Sequence, residues 1–294
     1  MPIYMPVVNS APVPWNRKSK NIFWEDQMPD VFANITSAPD AALQVIANVL
    51  ETRAAIPSQQ EMLRDYLSNI QFPEAAEVLE VGCGTGPVCR TLATWPNVAK
   101  VVGVDPSPFL LQKARELSAG QQIEFEAGDG KSLRFAEATF DVVILHTLLS
   151  HVPGPEQLLS EAYRVLKPGG ALGLCDADFS TATLATSEND PLEACTRAFL
   201  DHFVNDVWIV RRVSSLAQAA GFDVKPLRSY GLIETIAPTL AMTWVDRGAD
   251  ALANGGCIGP ELAAALKAEG RRRAEAGSFF GYMAYAALTA VKPV

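Results

Sequence analysis

The stretch EVLEVGCGTGPVC, residues 77–89, sets Gly82, Gly84 and Gly86 at alternate positions directly behind an apolar, β-branched run. Glycines that dense let a ligand lie against bare backbone, with the N–H groups of a following helix aimed at it. Two carboxylates follow. Asp105 closes KVVGVD, nineteen residues after Gly86, where an acidic group suits ribose hydroxyls. Asp129, in FEAGDGKSL, comes after the next apolar run and suits an exocyclic adenine amine. Each has a plainer role open to it. Asp105 can cap a helix that starts at Pro106, and an Asp between two glycines is commonly a turn residue.

Proton transfer near neutral pH falls first to histidine, and the chain has three. His146 ends an apolar run and is expected to shape the ligand pocket more than to act as a base. His151, in HTLLSHVPG, precedes a V-P-G turn and is expected to brace the next helix. His202 lies between Phe199 and Phe203 on a helix and is the most suggestive of substrate chemistry. All three are carried as catalytic candidates. Arg53, Gln59 and Gln60 could reach a ligand carboxylate, although a solvated helix face explains them equally well. Trp15, Phe23, Trp24, Trp208, Trp244, Phe279, Tyr282 and Tyr285 could line an apolar pocket, but such residues are more often core.

These residues need a frame that brings strand ends together. Short apolar runs at 77–82, 99–104, 121–126, 140–146 and 171–176 alternate with helical patterns near 86–95, 106–118 and 155–166. In the last helix Leu158, Leu159, Ala162, Val165 and Leu166 share one face, and KPGG ends it with Gly169 in a left-handed position. Strands buried on both faces and alternating with helices predict a parallel, doubly wound α/β sheet. Its ligands sit at the carboxyl ends of the strands, where the glycine loop falls. Before it, residues 1–20 read as a proline-rich arm and 24–70 as a helical cap, with Ser58 and Glu61 resembling a capping box. After it come a helical block near 188–220, two late strands in GFDVKPLRSYGLIE and SFFGYMAYAALTAV, and a helical insertion at 237–276. The division expected is therefore 1–70 for arm and cap, and 71–294 for the main domain, with lid segments at about 180–220 and 237–276.

A dinucleotide fingerprint reads G-x-G-x-x-G/A, whereas this loop reads G-x-G-x-G with Pro87 where the third small residue belongs. That spacing disfavours NAD. In order along the chain, EVGCGTG, VDPS, AGDG, FDVVILH and RVLKPGG resemble the class I S-adenosylmethionine-dependent methyltransferases. The group most similar is that of ubiquinone and menaquinone biosynthesis. The resemblance covers about residues 75–176, and the late strands more loosely. It implies a Rossmann-like seven-stranded sheet of order 3-2-1-4-5-7-6 and S-adenosylmethionine as cofactor. It places Glu80 and the loop of Gly82, Cys83, Gly84 and Gly86 at the methionine part. Asp105, with Pro106 beside it, goes to the ribose, Asp129 and Gly130 to the adenine, and the backbone near His146 to the methionine end. Pro87 and Lys131-Ser132 depart mildly from the family pattern.

A net charge of −9 over 294 residues lacks the cationic footprint of a nucleic-acid binder. Five cysteines form no CxxC pair and no metal-spaced cluster, which suits a reducing compartment and predicts no metal. No signal peptide is read at the N-terminus, and no apolar run reaches the roughly 18 residues of a membrane helix. A cytoplasmic enzyme is expected, with the 237–276 insertion as a candidate homodimer surface. The leading expectation is methyl transfer to a small, apolar or aromatic metabolite at oxygen, carbon or nitrogen. Other readings keep the fold and cofactor but promote cyclisation or rearrangement, or bind the cofactor without catalysis.

Overall fold

The computed structural model describes residues 35–235 and 240–294. The arm over 1–20, Trp15, Phe23 and Trp24 lie outside the described residues. Two helices come first, α1 (Asp40–Ala55) and α2 (Pro57–Ser68). The α/β alternation follows as β1 (Ala76–Val81), α3 (Pro87–Leu92), β2 (Val98–Asp105), α4 (Pro108–Leu117) and β3 (Ile123–Ala127). Then come β4 (Phe140–His146), α5 (Pro155–Val165) and β5 (Leu166–Thr183). The remainder is α6 (Glu193–Phe203), α7 (Val213–Ala219), β6 (Asp223–Val224), β7 (Arg228–Glu234), α8 (Ala241–Asn254), α9 (Pro260–Glu275) and β8 (Gly281–Val291).

Strands β1 to β5 pair in parallel, in the order β3-β2-β1-β4-β5, and β8 closes the sheet antiparallel to β5. Val78, Leu79, Val81, Val142, Val143 and Ile144 are all buried, as strands covered on both faces require. The expected seven-stranded order holds, with one difference. The sixth strand is cut into β6 and β7, both paired with β8, which raises the count to eight. Lys225-Pro226-Leu227 separates the pieces, and Pro226 has no N–H for the ladder.

Apolar clusters cover both faces. One gathers Tyr66, Leu67, Cys89, Leu111 and Trp244 from α2, α3, α4 and α8. The other gathers Leu158, Leu159, Val165 and Val213 from α5 and α7. The cap packs through Leu43, Ile46 and Ala47 of α1 onto Leu110 of α4. Two helix starts differ from expectation. Helix α4 begins at Pro108 rather than Pro106, because Ser107 is the cap and its Oγ accepts the N–H of Leu110 at 3.3 Å. Helix α2 begins at Pro57, ahead of Ser58, and no side chain caps it.

Among the late helices, α8 packs against both α6 and α9. Helices α6 and α8 touch through Gly248, where a Cβ would lie 2.0 Å from the Cys195 carbonyl oxygen. Phe199 stacks on Trp244 across the same contact, with centroids 6.1 Å apart. Helix α9 is anchored to the loop before α6 by Arg273, whose Nη1 lies 2.6 Å from the buried carboxylate of Asp190.

Candidate functional site

The glycine loop turns through Gly82, Gly84 and Gly86, at φ +74°, +54° and +78°, a region that side chains rarely adopt. The turn is clamped to the end of β2. Gly82 and Cys83 donate their N–H groups to the Val104 carbonyl at 2.7 and 3.0 Å, and Gly84 donates to Oδ2 of Asp105 at 2.9 Å. The other Asp105 oxygen accepts the N–H of Ser107 at 2.9 Å. Burial pushes this carboxyl up to about 6, the backbone donors opposing the shift.

One narrow cavity of about 120 Å³ is lined by Glu80, Gly82, Cys83, Gly84, Asp105, Pro106, Asp129, Gly130 and His146. Gly86 is not among its walls; its Cα faces Phe125, whose ring a Cβ would meet at 2.9 Å. Gly130 is enclosed by Val81 and Leu158, which a Cβ would meet at 2.4 and 2.6 Å. Asp129 is exposed, and its Oδ1 accepts the N–H of Lys131 at 2.9 Å in a local turn.

Opposite charges face this cavity. Glu80 is buried, its Oε2 accepts the Cys89 thiol at 2.8 Å, and burial pushes its carboxyl up to about 7. Arg53, half-buried on α1, has no hydrogen-bond or ion-pair partner for its guanidinium among the described residues, and its charge pulls Glu80 back down. A carboxylate and a guanidinium across one cavity match the zwitterionic head of an α-amino acid. With the Asp105 acceptor beside a bare glycine loop, the donor set fits an amino-acid nucleoside such as S-adenosylmethionine. The two glutamines are engaged elsewhere. Gln59 donates to Tyr285 Oη at 3.1 Å and Gln60 to the Ala54 carbonyl at 3.0 Å.

The three histidines stand in different surroundings. His146 is buried with its ring stacked on Tyr66, centroids 5.8 Å apart and planes 9° from parallel. Burial, aided by the Arg53 charge, pushes it down to about 3, so it stays neutral at physiological pH. His202 is exposed, with Nδ1 2.8 Å from the Ala198 carbonyl one turn back. Phe199 and Phe203, four residues apart, share the inward face of α6, and His202 is turned away from it. His151 is half-buried, meets Phe179 edge-on at 5.9 Å, and lines the cavity rim.

A second cavity, of about 310 Å³, lies between α1 and the helices α6 and α8. Val49, Phe179, Phe199, Phe203, Trp244 and Met283 make it apolar, and Arg247, Asp250 and Tyr285 add polar groups. The Arg247 guanidinium sits 3.8 Å over the Phe203 ring. Leu50, Arg53, Thr147 and His151 line both cavities and so form their shared wall. Thr147 holds φ +51°, a strained value for a threonine, of the kind that costs about 1 kcal/mol or more. Sequence reasoning passed over Thr147, Arg247 and Asp176. Asp176 was visible in principle, because it ends the apolar run ALGLC, although β5 itself continues to Thr183. It is buried and accepts Ser150 N–H, Ser150 Oγ–H and Ala177 N–H at 3.2, 2.9 and 2.8 Å.

Residues 79–174 match the methyltransferase domain family. An uncharacterised 37.1 kDa protein of a Streptomyces fradiae transposon is 34% identical over 148 residues, 50% of this chain and 43% of that protein. The ubiquinone/menaquinone biosynthesis C-methyltransferase of Desulfotalea psychrophila is 39% identical over 98 residues, 33% of this chain and 40% of that protein. The chain thus spans about two fifths of the length of these curated relatives. Haemonchus contortus phosphoethanolamine N-methyltransferase 2, solved with S-adenosyl-L-methionine, has a TM-score of 0.56 at 17% identity, covering 90% of this chain and 60% of that one. At that identity the likeness is one of fold. Among the described residues, no helix is long and apolar enough to cross a membrane.

Proposed function

We propose that this chain, whose residues 79–174 match the methyltransferase domain family, transfers a methyl group from S-adenosylmethionine to a small, largely apolar metabolite. The observation that carries this reading is the shared wall. A polar cavity suited to an amino-acid nucleoside meets an apolar cavity across Leu50, Arg53, Thr147 and His151.

When bound, S-adenosylmethionine supplies a methyl group on a sulfonium that leaves without protonation. The protein's work is alignment and exclusion of water. Asp105 holds the ribose side, Asp129 and Gly130 border the base, and the glycine loop lies along the methionine part, with Glu80 and Arg53 taking its ammonium and carboxylate. Helices α6 and α8 close over the acceptor, and the aromatic walls select a flat or greasy body. The apolar cavity and the net charge of −9 favour a small molecule over nucleic acid. The described cysteines are all free and four of the five are buried, which suits a reducing, cytoplasmic setting.

Calorimetry with S-adenosylmethionine, then incubation with labelled cofactor and a panel of phenols, quinols and amines, tests the reading. Binding together with S-adenosylhomocysteine and a labelled product supports it. Product change without cofactor consumption supports the cyclisation or rearrangement reading instead. Absence of binding overturns both.

A further inference from the structure

His151 differs from the other two imidazoles in what surrounds it. It is the histidine that lines both cavities, so its ring stands where acceptor and cofactor meet. His146, stacked on Tyr66, lines the first cavity but not the second, and His202 hydrogen-bonds its own helix on the outer face.

The loop that carries His151 rests on a buried carboxylate. Asp176, at 1% exposure, takes three hydrogen bonds, two of them from Ser150, the residue next to His151 in the chain. The loop carrying the imidazole is therefore tied directly to this acid. The His151 charge also acts on Asp176, opposing the upward push of burial on its carboxyl. An imidazole at a reaction space, on a loop tied to a buried carboxylate that feels its charge, has the makings of an oriented base.

We propose that His151 takes the proton of an ionisable acceptor hydroxyl, a phenol or an enol, and that Asp176 is its positioning residue. The inference rests on the methyl-transfer reading above and names its acceptor class. The hydroxyl oxygen forms the bond to the methyl carbon, and the methyl–sulfur bond breaks with its electron pair on sulfur. The hydroxyl proton passes to the imidazole, and the imidazolium formed is stabilised by Asp176. The cavity suits such an acceptor. Phe179, Phe199 and Trp244 offer flat walls, and Arg247, stacked over Phe203, presents a cation to an electron-rich ring. The charged and titratable groups that line a cavity with His151 are Arg53, Arg247, Asp250 and Tyr285 on the apolar side, and Glu80, Asp105, Asp129 and His146 on the polar side. Tyr285 is held protonated by burial, which pushes its phenol up to about 12. It is no rival base.

The test uses the full chain, with His151→Gln and Asp176→Asn, and substituted phenols of graded acidity as probes. Both variants should bind S-adenosylmethionine within about twofold of the parent by calorimetry. With weakly acidic phenols, turnover by His151→Gln should fall on the order of 100-fold, and the loss should shrink as the phenol becomes acidic enough to ionise unaided. Asp176→Asn should lower turnover about tenfold with little change in KM. A second readout needs no cofactor. Bound to the cofactor-free chain below its own ionisation point, 4-nitrophenol should shift towards phenolate absorption, and His151→Gln should abolish that shift. Equal losses across the phenol series, or an unchanged spectrum in His151→Gln, overturn the assignment. Cofactor binding by the parent without turnover of any phenol also overturns it, and leaves methyl transfer to nitrogen or carbon standing. Failure of the parent to bind cofactor refutes the underlying reading instead.

Discussion

Gly84 donates its backbone N–H to Oδ2 of Asp105 at 2.9 Å, so the middle glycine of the loop is held by the carboxylate that β2 presents to the cavity. Asp105 therefore shapes the loop as well as offering an acceptor to a ribose. It does not cap α4, because Ser107 Oγ does. The two roles separate by mutation. Asp105→Ala should weaken S-adenosylmethionine binding about tenfold or more, the worth of one charged hydrogen bond. Ser107→Ala should cost about 1 kcal/mol of stability and leave the affinity close to that of the parent. Calorimetry and thermal unfolding on both variants give the comparison.

Glu80 makes binding and stability depend on pH in opposite senses. Burial raises its carboxyl from the ordinary carboxylate range to about 7. The folded chain thus keeps a proton that the unfolded chain has lost. That stability is full below the unfolded value and is lost as pH rises through about 7. His146, pushed down to about 3, works the other way, and its contribution is lost as pH falls. Comparison with Glu80→Gln cancels the His146 effect. The melting temperature of that variant minus that of the parent should rise from pH 5 to pH 8, the parent losing up to about 3 kcal/mol more over this range. An ammonium ligand needs the carboxylate ionised. Cofactor binding near pH 6.5 should therefore release a proton, visible as a calorimetric heat that varies with the buffer, and Glu80→Gln should lack it. A flat melting difference would refute the assignment of a raised carboxyl.

The sheet and much of the first cavity were legible from the chain because they follow local rules. Parallel strands buried on both faces write themselves as β-branched runs, and whatever closes each run lands on one edge. Gly82, Gly84, Asp105 and Asp129 reach one cavity by that rule alone. What escaped depended on partners distant in sequence. His146 and Tyr66 stack across eighty positions, and nothing near His146 announces that burial. His202 sits among aromatics in the chain, yet α8 packs against the Phe199 stripe and leaves the imidazole outside. Asp176 lies in an apolar strand whose acid makes sense only once Ser150 and His151 fold over it. The break between β6 and β7 was written locally, in Pro226, but its consequence for the strand count needed the pairing with β8.

Arg53 is placed to read a carboxylate, and the claim separates cleanly from general electrostatics. Its guanidinium has no partner among the described residues and lines both cavities. Arg53→Met, which keeps the apolar stem, should weaken S-adenosylmethionine about tenfold through the lost charged hydrogen bond. Decarboxylated S-adenosylmethionine should bind parent and variant alike. Equal weakening of both ligands in calorimetry would assign Arg53 to the packing of α1 instead.

The lid contact at Gly248 offers a test of the two-cavity arrangement itself. A methyl group there would meet the Cys195 carbonyl at 2.0 Å, a backbone atom that no rotamer change can move. Gly248→Ala must therefore part α8 from α6, at a cost of about 1–3 kcal/mol. Trp244 and Phe199 face the apolar cavity across that contact, whereas the glycine loop and Asp105 belong to strands on the far side of Arg53 and Thr147. Separation of the helices should reshape the acceptor space alone. KM for the acceptor should rise several-fold while the cofactor dissociation constant stays within about twofold of the parent. A matching loss of cofactor affinity would mean that the two cavities fold as one unit, with the lid holding the glycine loop in place.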